Sequence, residues 1–554
     1  RAGFFTRFQR GFESRFTRFR EGYRNLLQGL AGRPRPFVLF YLAGAFASLL
    51  LLGVVGQDFF PSIKSGEIDL HMRGPAGTRL EETAKNSVLV GQQIDALLPG
   101  RVVSALMNCG LPISGINQAY SDSGTIGSQD CDITVALDSQ TSPVARYRQI
   151  LRTGLAERFP GTTFSFLPAD ITARILNFGL PSPIDVQIQG RDLNANYAYA
   201  TKLAASLSHV AGAADVRIQQ IMGQPTLSLS SNRSFAMGTG LTETDIASNA
   251  LTTLSGSGQV APTYWLNSQN GVSYLVNLLT PQDQMTSIND LSNIPVDKGD
   301  GNPTNAPLQL VGSLSRIGQT GTPGVVSHYA IMPVIDVYAN VEGRDLGAVA
   351  GAVARVVKGM GASAPRGAVV TVGGQAVTMY SAYTKLIVGL MLSIALVYLI
   401  SVVNFQSWLD PFIIVSALPA ALAGITWSLF LTHTTLSVPA LTGAIMCMGT
   451  ATANTILVVV FARDQLAEHG DPVAAAIEAG YARIRPVLMT ALAMIVGMFP
   501  MSMSNTQNAP LGRAVIGGLS VATVTTLLFV PCVFAILHRP RAGAARPAEG
   551  RAPA

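Results

Sequence analysis

The chain has 554 residues, 48% of them hydrophobic and only 13% charged, with a formal net charge of +6. Soluble globular domains carry about 25% charged residues, so these figures exclude an ordinary soluble enzyme, a disordered chain, a collagen-like repeat and a disulfide-dense miniprotein. The length accommodates roughly three to four domain-sized units, and the chain opens on Arg1 rather than Met, from which we expect a fragment or a processed product.

Phe4, Phe8, Phe12, Phe16, Phe19, Tyr23, Leu26 or Leu27, and Leu30 recur at helical spacing, with arginines filling the other face. That pattern predicts an amphipathic helix lying in the cytoplasmic lipid interface. A nucleic-acid arm and a cleaved targeting peptide compete with it, and the apolar span that follows favours the interface. Gly32, Pro34 and Pro36 end the helix. The expectation is an interfacial segment over 1–36 and a first membrane span over 37–56.

Residues 57–380 are polar and rich in Gly, Ser and Thr. Strand-like alternation at Glu67–Met72 precedes a helical stretch, Leu80–Leu98, and a second strand near Val102–Met107. The pattern recurs at 183–190, Asn194–Val210 and Asp215–Gln219, and again at 334–340, Leu346–Met360 and Ala368–Val372. A Gly-Arg-Asp-Leu step hands strand to helix twice, at Gly190–Leu193 and Gly343–Leu346. These are split βαβ units with mixed sheets, in small α+β subdomains rather than a doubly wound sheet; Thr226–Asn305 is less regular and reads as an inserted subdomain of short strands and long loops. Cys109 and Cys131 form a disulfide or remain two buried thiols; an oxidising compartment permits the bridge. Met107 and Cys109 are soft-ligand types, but two ligands do not make a metal site.

Five more uncharged runs long enough to cross a bilayer (about 20 residues) occupy 386–403, 411–432, 437–462, 486–505 and 514–537. Arginines precede the first span (Arg7, Arg10, Arg15, Arg18, Arg20, Arg24, Arg33, Arg35) and follow the last (Arg539, Arg541, Arg546, Arg551). With six spans both termini share a side, and the positive-inside bias makes it cytoplasmic. Loops at 404–410 and 463–485 fall on that side, and the large insert lies outside, in a periplasm if the cell has two membranes. The spans hold no acidic or basic residue away from their ends. Thr450 and Asn454 share a face of the fourth span, Gly449 and Ala453 make a small-xxx-small step beside them, and Thr490 lies one turn inside the fifth. On the residues alone, helix packing explains them better than a relay does. No P-loop, His-Glu-x-x-His pair or Gly-x-Ser-x-Gly elbow is present, so neither an enzyme nor a cofactor is implied.

The run Ala482–Pro500 (ARIRPVLMTALAMIVGMFP) resembles the penultimate span of resistance–nodulation–division (RND) efflux permeases. Phe405–Pro411 (FQSWLDP), Gly449–Leu457 (GTATANTIL), Gln507–Gly512 (QNAPLG) and Phe529–Pro531 resemble their neighbouring turns and spans. The match is to the C-terminal half of such a permease. It implies a six-span α-helical bundle with an α+β periplasmic insert: ferredoxin-like porter subdomains at 57–180 and at 181–225 plus 316–376, a docking subdomain at 226–315, five spans within 381–538 and a basic tail at 539–554. It further implies an inner-membrane location, a homotrimer, a missing N-terminal half, a periplasmic adaptor, an outer-membrane channel and proton-driven export, with no nucleic acid. Thr490, Arg483 and Asn454 match relay positions, whereas the relay lysine is replaced by Ala453. Phe164, Phe166, Leu111, Pro112, Ile113 and Tyr120 sit where the family has substrate-contacting residues. Export of amphiphilic or drug-like compounds is the leading expectation. The alternatives are heavy-metal export, for which Met72, Met107, Met222, Met237, Met285 and Met332 look too scattered, and a non-pumping partner subunit.

Overall fold

The computed structural model describes residues 4–61, 66–111, 124–138, 143–298 and 308–539. The expected pocket residues Pro112, Ile113 and Tyr120 and the tail 540–554 lie outside the described residues.

Two sheets built alike organise residues 67–374. In the first, the strands Glu67–Arg73, Val102–Cys109, Asp130–Leu137 and Thr163–Leu167 run in the order second, third, first, fourth, and the expected mixed sheet is corrected to an entirely antiparallel one, because the third strand inserts between the two joined by the helix. The helices Leu80–Leu97 and Val144–Arg158 cover one face. Alternation decides which face that is: Ile68, Leu70, Met72, Ile133, Val135 and Phe166 point inward onto Val90, Ile94, Leu151 and Leu155. Ile184–Gln189, Ala213–Ile218, Met332–Val341 and Val369–Gly374 repeat this order, with helices Leu193–Leu207 and Leu346–Met360. The repeated Gly-Arg-Asp-Leu step has a local cause. Asp192 and Asp345 are N-caps, accepting hydrogen bonds from the N–H groups of Ala195 (3.0 Å) and Ala348 (2.9 Å).

The second unit is interrupted between its second and third strands. The antiparallel pair Gln224–Ser231 and Ser315–Thr322 carries the chain out and back. Beyond it, Leu241, Ile246, Leu291, Val311 and Leu314 form a small separate core. A hairpin of Thr263–Leu266 with Ser273–Val276 is exposed along its whole length.

Among the described residues six helices are long and apolar enough to cross a membrane: Pro34–Gly53, Gln375–Phe405, Leu409–Leu431, Val438–His469, Pro472–Met503 and Ala509–Leu537. The last is central, 72% buried over its apolar window, against 6% for each of the first two. Small residues permit its close contacts: a Cβ placed on Gly517 would lie 2.7 Å from the Gly424 carbonyl oxygen, and one on Gly443 2.9 Å from that of Leu511. The sequence reading of 463–485 as a loop is corrected. The fourth and fifth spans continue as helices through it and break only at Gly470 and Asp471, where Gly470 takes φ +72° and Asp471 caps the next helix. Polar residues on a helix that outruns the bilayer look like a loop to a hydropathy reading. The amphipathic helix Phe4–Gly32 packs against the fifth span. Arg20 lies 3.6 Å over the Tyr481 ring, and Tyr23 donates to the Leu527 carbonyl at 2.6 Å.

Candidate functional site

In the membrane, Thr490 of the fifth span and Asn454 of the fourth are brought together. The Thr490 hydroxyl is 3.1 Å from Asn454 Oδ1 and 3.0 Å from its own Val487 carbonyl, so one proton has two acceptors. Thr450 bonds back to Met446 O at 3.2 Å within its own helix and takes no part. Arg483 stands two helical turns from Thr490, its guanidinium 5.0 Å from the Phe461 ring and its Nε buried without a partner among the described residues. Gly449, Ala453 and Thr490 are exposed on one side of these two helices. An open strip with a donor and an amide beside it is a surface that a further helix can cover.

In the inserted region, the alternation that buries Ile68, Leu70 and Met72 sets Asp69, His71 and Arg73 on the sheet's other face, towards the second sheet. Arg73 donates to Asp130 (2.8 Å) and to the Gln219 carbonyl (3.1 Å), and His71 Nδ1 lies 2.6 Å from Asp132. Nearby, Arg152 pairs with Asp215 at 2.8 Å, and Asn340 bridges Asp215 (2.8 Å) and the Phe166 carbonyl (2.7 Å). Burial opposes ionisation of Asp215, but Arg152, Asn340 and the Phe166 N–H outweigh it and hold its carboxyl below the usual range. These contacts fasten the two sheets to each other.

At one end of this polar face lies a cavity of about 230 Å³, lined by Asp69, Asn108, Asp132, Thr134, Leu106, Leu167, Pro168, Leu180 and Arg174. Arg174 comes from the six-residue helix Ile171–Leu176 and pairs with Asp69. Asp69 is 3% exposed, and its Oδ1 has no hydrogen-bond partner among the described residues. Two carboxylates and one guanidinium line the cavity, with His71 held on Asp132 from outside the lining; its donors are oxygens, which suit hard cations, and no group of three or more His, Cys, Asp or Glu placed to hold a metal ion occurs among the described residues. Leu106 of the lining is exposed, as are Ile175 and Phe178, chain neighbours of the lining residues Arg174 and Gly179.

The other sequence-selected residues are placed as follows. Phe164 and Phe166 do point the same way, onto the helix-covered face, where Phe166 is 4% exposed within the core and Phe164 packs against it. Leu111 is exposed. Cys109 faces Cys131 across paired strands, and their sulfurs are joined. Sequence reasoning passed over Asp69, Asp132 and Arg174; acidic side chains in mid-strand, at positions alternating with Ile68 and Leu70, were the available signal.

Comparison with known proteins follows the same outline. The family model described as the AcrB/AcrD/AcrF family matches residues 2–538. The cation efflux system protein CzcA of Alcaligenes sp. (strain CT14) is 25% identical over 531 residues, covering 93% of this chain and 48% of that protein. The nickel and cobalt resistance protein CnrA of Cupriavidus metallidurans is 27% identical over 534 residues, with 94% and 48% covered. The swarming motility protein SwrC of Bacillus subtilis is 30% identical over 276 residues, 49% of this chain and 26% of that one. A crystal structure of a heavy metal efflux pump superposes with a TM-score of 0.75 at 22% identity, over 94% of this chain and 53% of that one. The chain thus spans about half the length of the curated relatives it matches.

Proposed function

The chain belongs to the AcrB/AcrD/AcrF family, the RND permeases, and we propose on that premise that it forms the C-terminal half of an inner-membrane exporter. Its two ferredoxin-like units, 57–180 and 181–225 plus 316–376, act as porter subdomains, and 226–315 acts as the docking part. The open strip of Gly449, Ala453 and Thr490 supports a second half packing there and supplying the carboxylate that these spans lack away from their ends. With that partner, Thr490 and Asn454 carry the proton-relay role, in a trimer that meets an adaptor and an outer-membrane channel.

For the substrate, the names of the relatives favour a transition-metal cation over the drug-like compounds that led the sequence reading. The single observation carrying the cation reading is the acidic oxygen lining of Asp69, Asp132, Asn108 and Thr134. The exposed Leu106 in the lining, with exposed Ile175 and Phe178 on the adjoining segment, favours a second reading, an amphiphilic organic cation.

The test is accumulation of zinc, cobalt and nickel, and of a cationic dye, in cells stripped of their own exporters and expressing the full-length permease with its adaptor. Lower metal content than in cells with an empty vector, abolished by a protonophore, is the expected result. Reduced dye with unchanged metal would select the second reading, and no change in either would remove the exporter assignment.

A further inference from the structure

Asp69 is an uncommon residue to find inside a sheet. A buried carboxylate needs a compensating charge, and Arg174 supplies it. The two are not equally fixed: the Asp69 side chain is 4% exposed and that of Arg174 41%. Asp69 sits on a strand paired on both sides, with Thr134 and Leu167 as its register partners. Arg174 is carried by less than two turns of helix, outside the sheet. The guanidinium enters the cavity from the solvent side, whereas the carboxylate belongs to its wall.

The short helix is tied at its N-terminal end. Asp170 caps it, accepting from Thr172 N (3.2 Å) and Ala173 N (3.3 Å), and also accepts from Gln507 Nε2 at 3.3 Å. Gln507 lies just beyond Met503, the last residue of the fifth membrane helix, which carries Thr490. At the other end Phe178 adopts φ +56°, a left-handed conformation that is strained for a bulky side chain. Arg174 is held in turn by its Nε, which donates to the Pro168 carbonyl at 2.9 Å.

We propose that Arg174 is a tethered cation that occupies Asp69 while the cavity is empty and cedes it to the transported cation. This rests on the reading of the cavity as a cation site and adds how that site is filled between cycles. A resident guanidinium spares Asp69 an uncompensated buried charge and makes cation binding an exchange of like for like. It also sets a threshold, because only a cation that outcompetes Arg174 gains the carboxylate, with the unpartnered Oδ1 of Asp69 and the oxygens of Asp132, Asn108 and Thr134 available as further donors. Departure of Arg174 moves the capped helix whose Asp170 is bonded to Gln507, so occupancy of the cavity is felt at the membrane end of the chain.

The test is titration of purified full-length permease with zinc and, separately, with tetraphenylphosphonium. Wild type, Arg174→Gln, Arg174→Lys, Asp69→Asn and the Asp69→Asn/Arg174→Gln double variant are compared. Arg174→Gln should tighten zinc binding by about tenfold or more, within the usual range for coupled sites. Arg174→Lys should bind as wild type does, and the gain should vanish in the double variant. Tightening for tetraphenylphosphonium but not for zinc upholds the tethered cation and discards the metal reading. The proposal is overturned if Arg174→Gln leaves both affinities unchanged or weaker, if the gain survives Asp69→Asn, if Arg174→Lys gains as much, or if no variant binds either cation.

Discussion

The Thr490 hydroxyl and Asn454 Oδ1 are 3.1 Å apart, joining the fifth membrane helix to the fourth at the strip where Gly449 and Ala453 are exposed. Hydrogen bonds between membrane helices contribute only about 0.6 kcal/mol on average, so losing this one leaves the bundle folded. Its consequence is expected in coupling instead. In vesicles with an imposed pH gradient, Thr490→Ala should lower export by about tenfold, an added barrier of about 1.4 kcal/mol, while Thr490→Ser, which restores the hydroxyl, should stay close to wild type. Equal export by wild type and both variants would leave Thr490 a packing residue.

A second prediction concerns the strand pair that ends beside the cavity. Cys109 lies opposite Cys131, and the Gly110 N–H donates to the Asp130 carbonyl at 2.9 Å, so the bridge secures the base of the connection across 112–123. A separation of 22 positions corresponds to about 3 kcal/mol in the chain-entropy account of cross-links. Cys109→Ser should therefore lower the melting temperature. Because Asn108 lines the cavity, it should weaken cation binding as well. Alkylation of the unreduced native protein should modify none of the four cysteines, since Cys447 and Cys532 are buried. Modification of Cys109 without reduction would show that the bridge does not form.

How much of this was legible beforehand differs from residue to residue. The spans were, because twenty uncharged residues have no other comfortable environment. Both sheets were as well, because alternation at Glu67–Met72 and 183–190 carries its own period. The resemblance singled out Thr490 and Asn454 one by one, but their contact was not legible, since nothing in the spacing of two separate helices says how they rotate against each other. Phe164 and Phe166 show a limit of a different kind. Their shared direction follows from a period of two, but which side of the sheet the helices cover is a tertiary choice, and they cover that one. The Asp69–Arg174 pair spans 105 positions, and no local rule reaches that far. The helical continuation through 463–485 was hidden because polarity, not breakage, marks where a helix leaves the bilayer.

The third prediction comes from the second sheet, where Asp185 and Asp336 are buried on adjacent strands. Burial above all, with the like charge of Asp336, pushes Asp185 up to about 7, against a 2.8 Å hydrogen bond from Gln187. Burial raises Asp336 also, although Gln220 donates to it at 2.7 Å. Tyr338, the register partner of Asp185, also faces the pair, its hydroxyl raised by burial, and beyond it Arg217 is pulled down to about 10 by burial. The Asp185 Oδ1 has no hydrogen-bond partner among the described residues, which suits a neutral carboxyl. The sign of the pH dependence follows from linkage. Below about pH 4 folded and unfolded chains both hold this proton. Between pH 4 and 7 only the folded chain does, so stability falls as pH rises, and above 7 the whole penalty remains. Asp185→Asn keeps the shape and removes the titration. Each pKa unit corresponds to about 1.4 kcal/mol, so the variant should melt well above wild type at pH 8 and differ little from it at pH 4. Asp336→Asn, by removing the like charge, should flatten the profile partway. Melting curves for wild type and Asp185→Asn that run parallel from pH 4 to pH 8 would mean that Asp185 is ionised throughout, and the neutral pair would have to be abandoned.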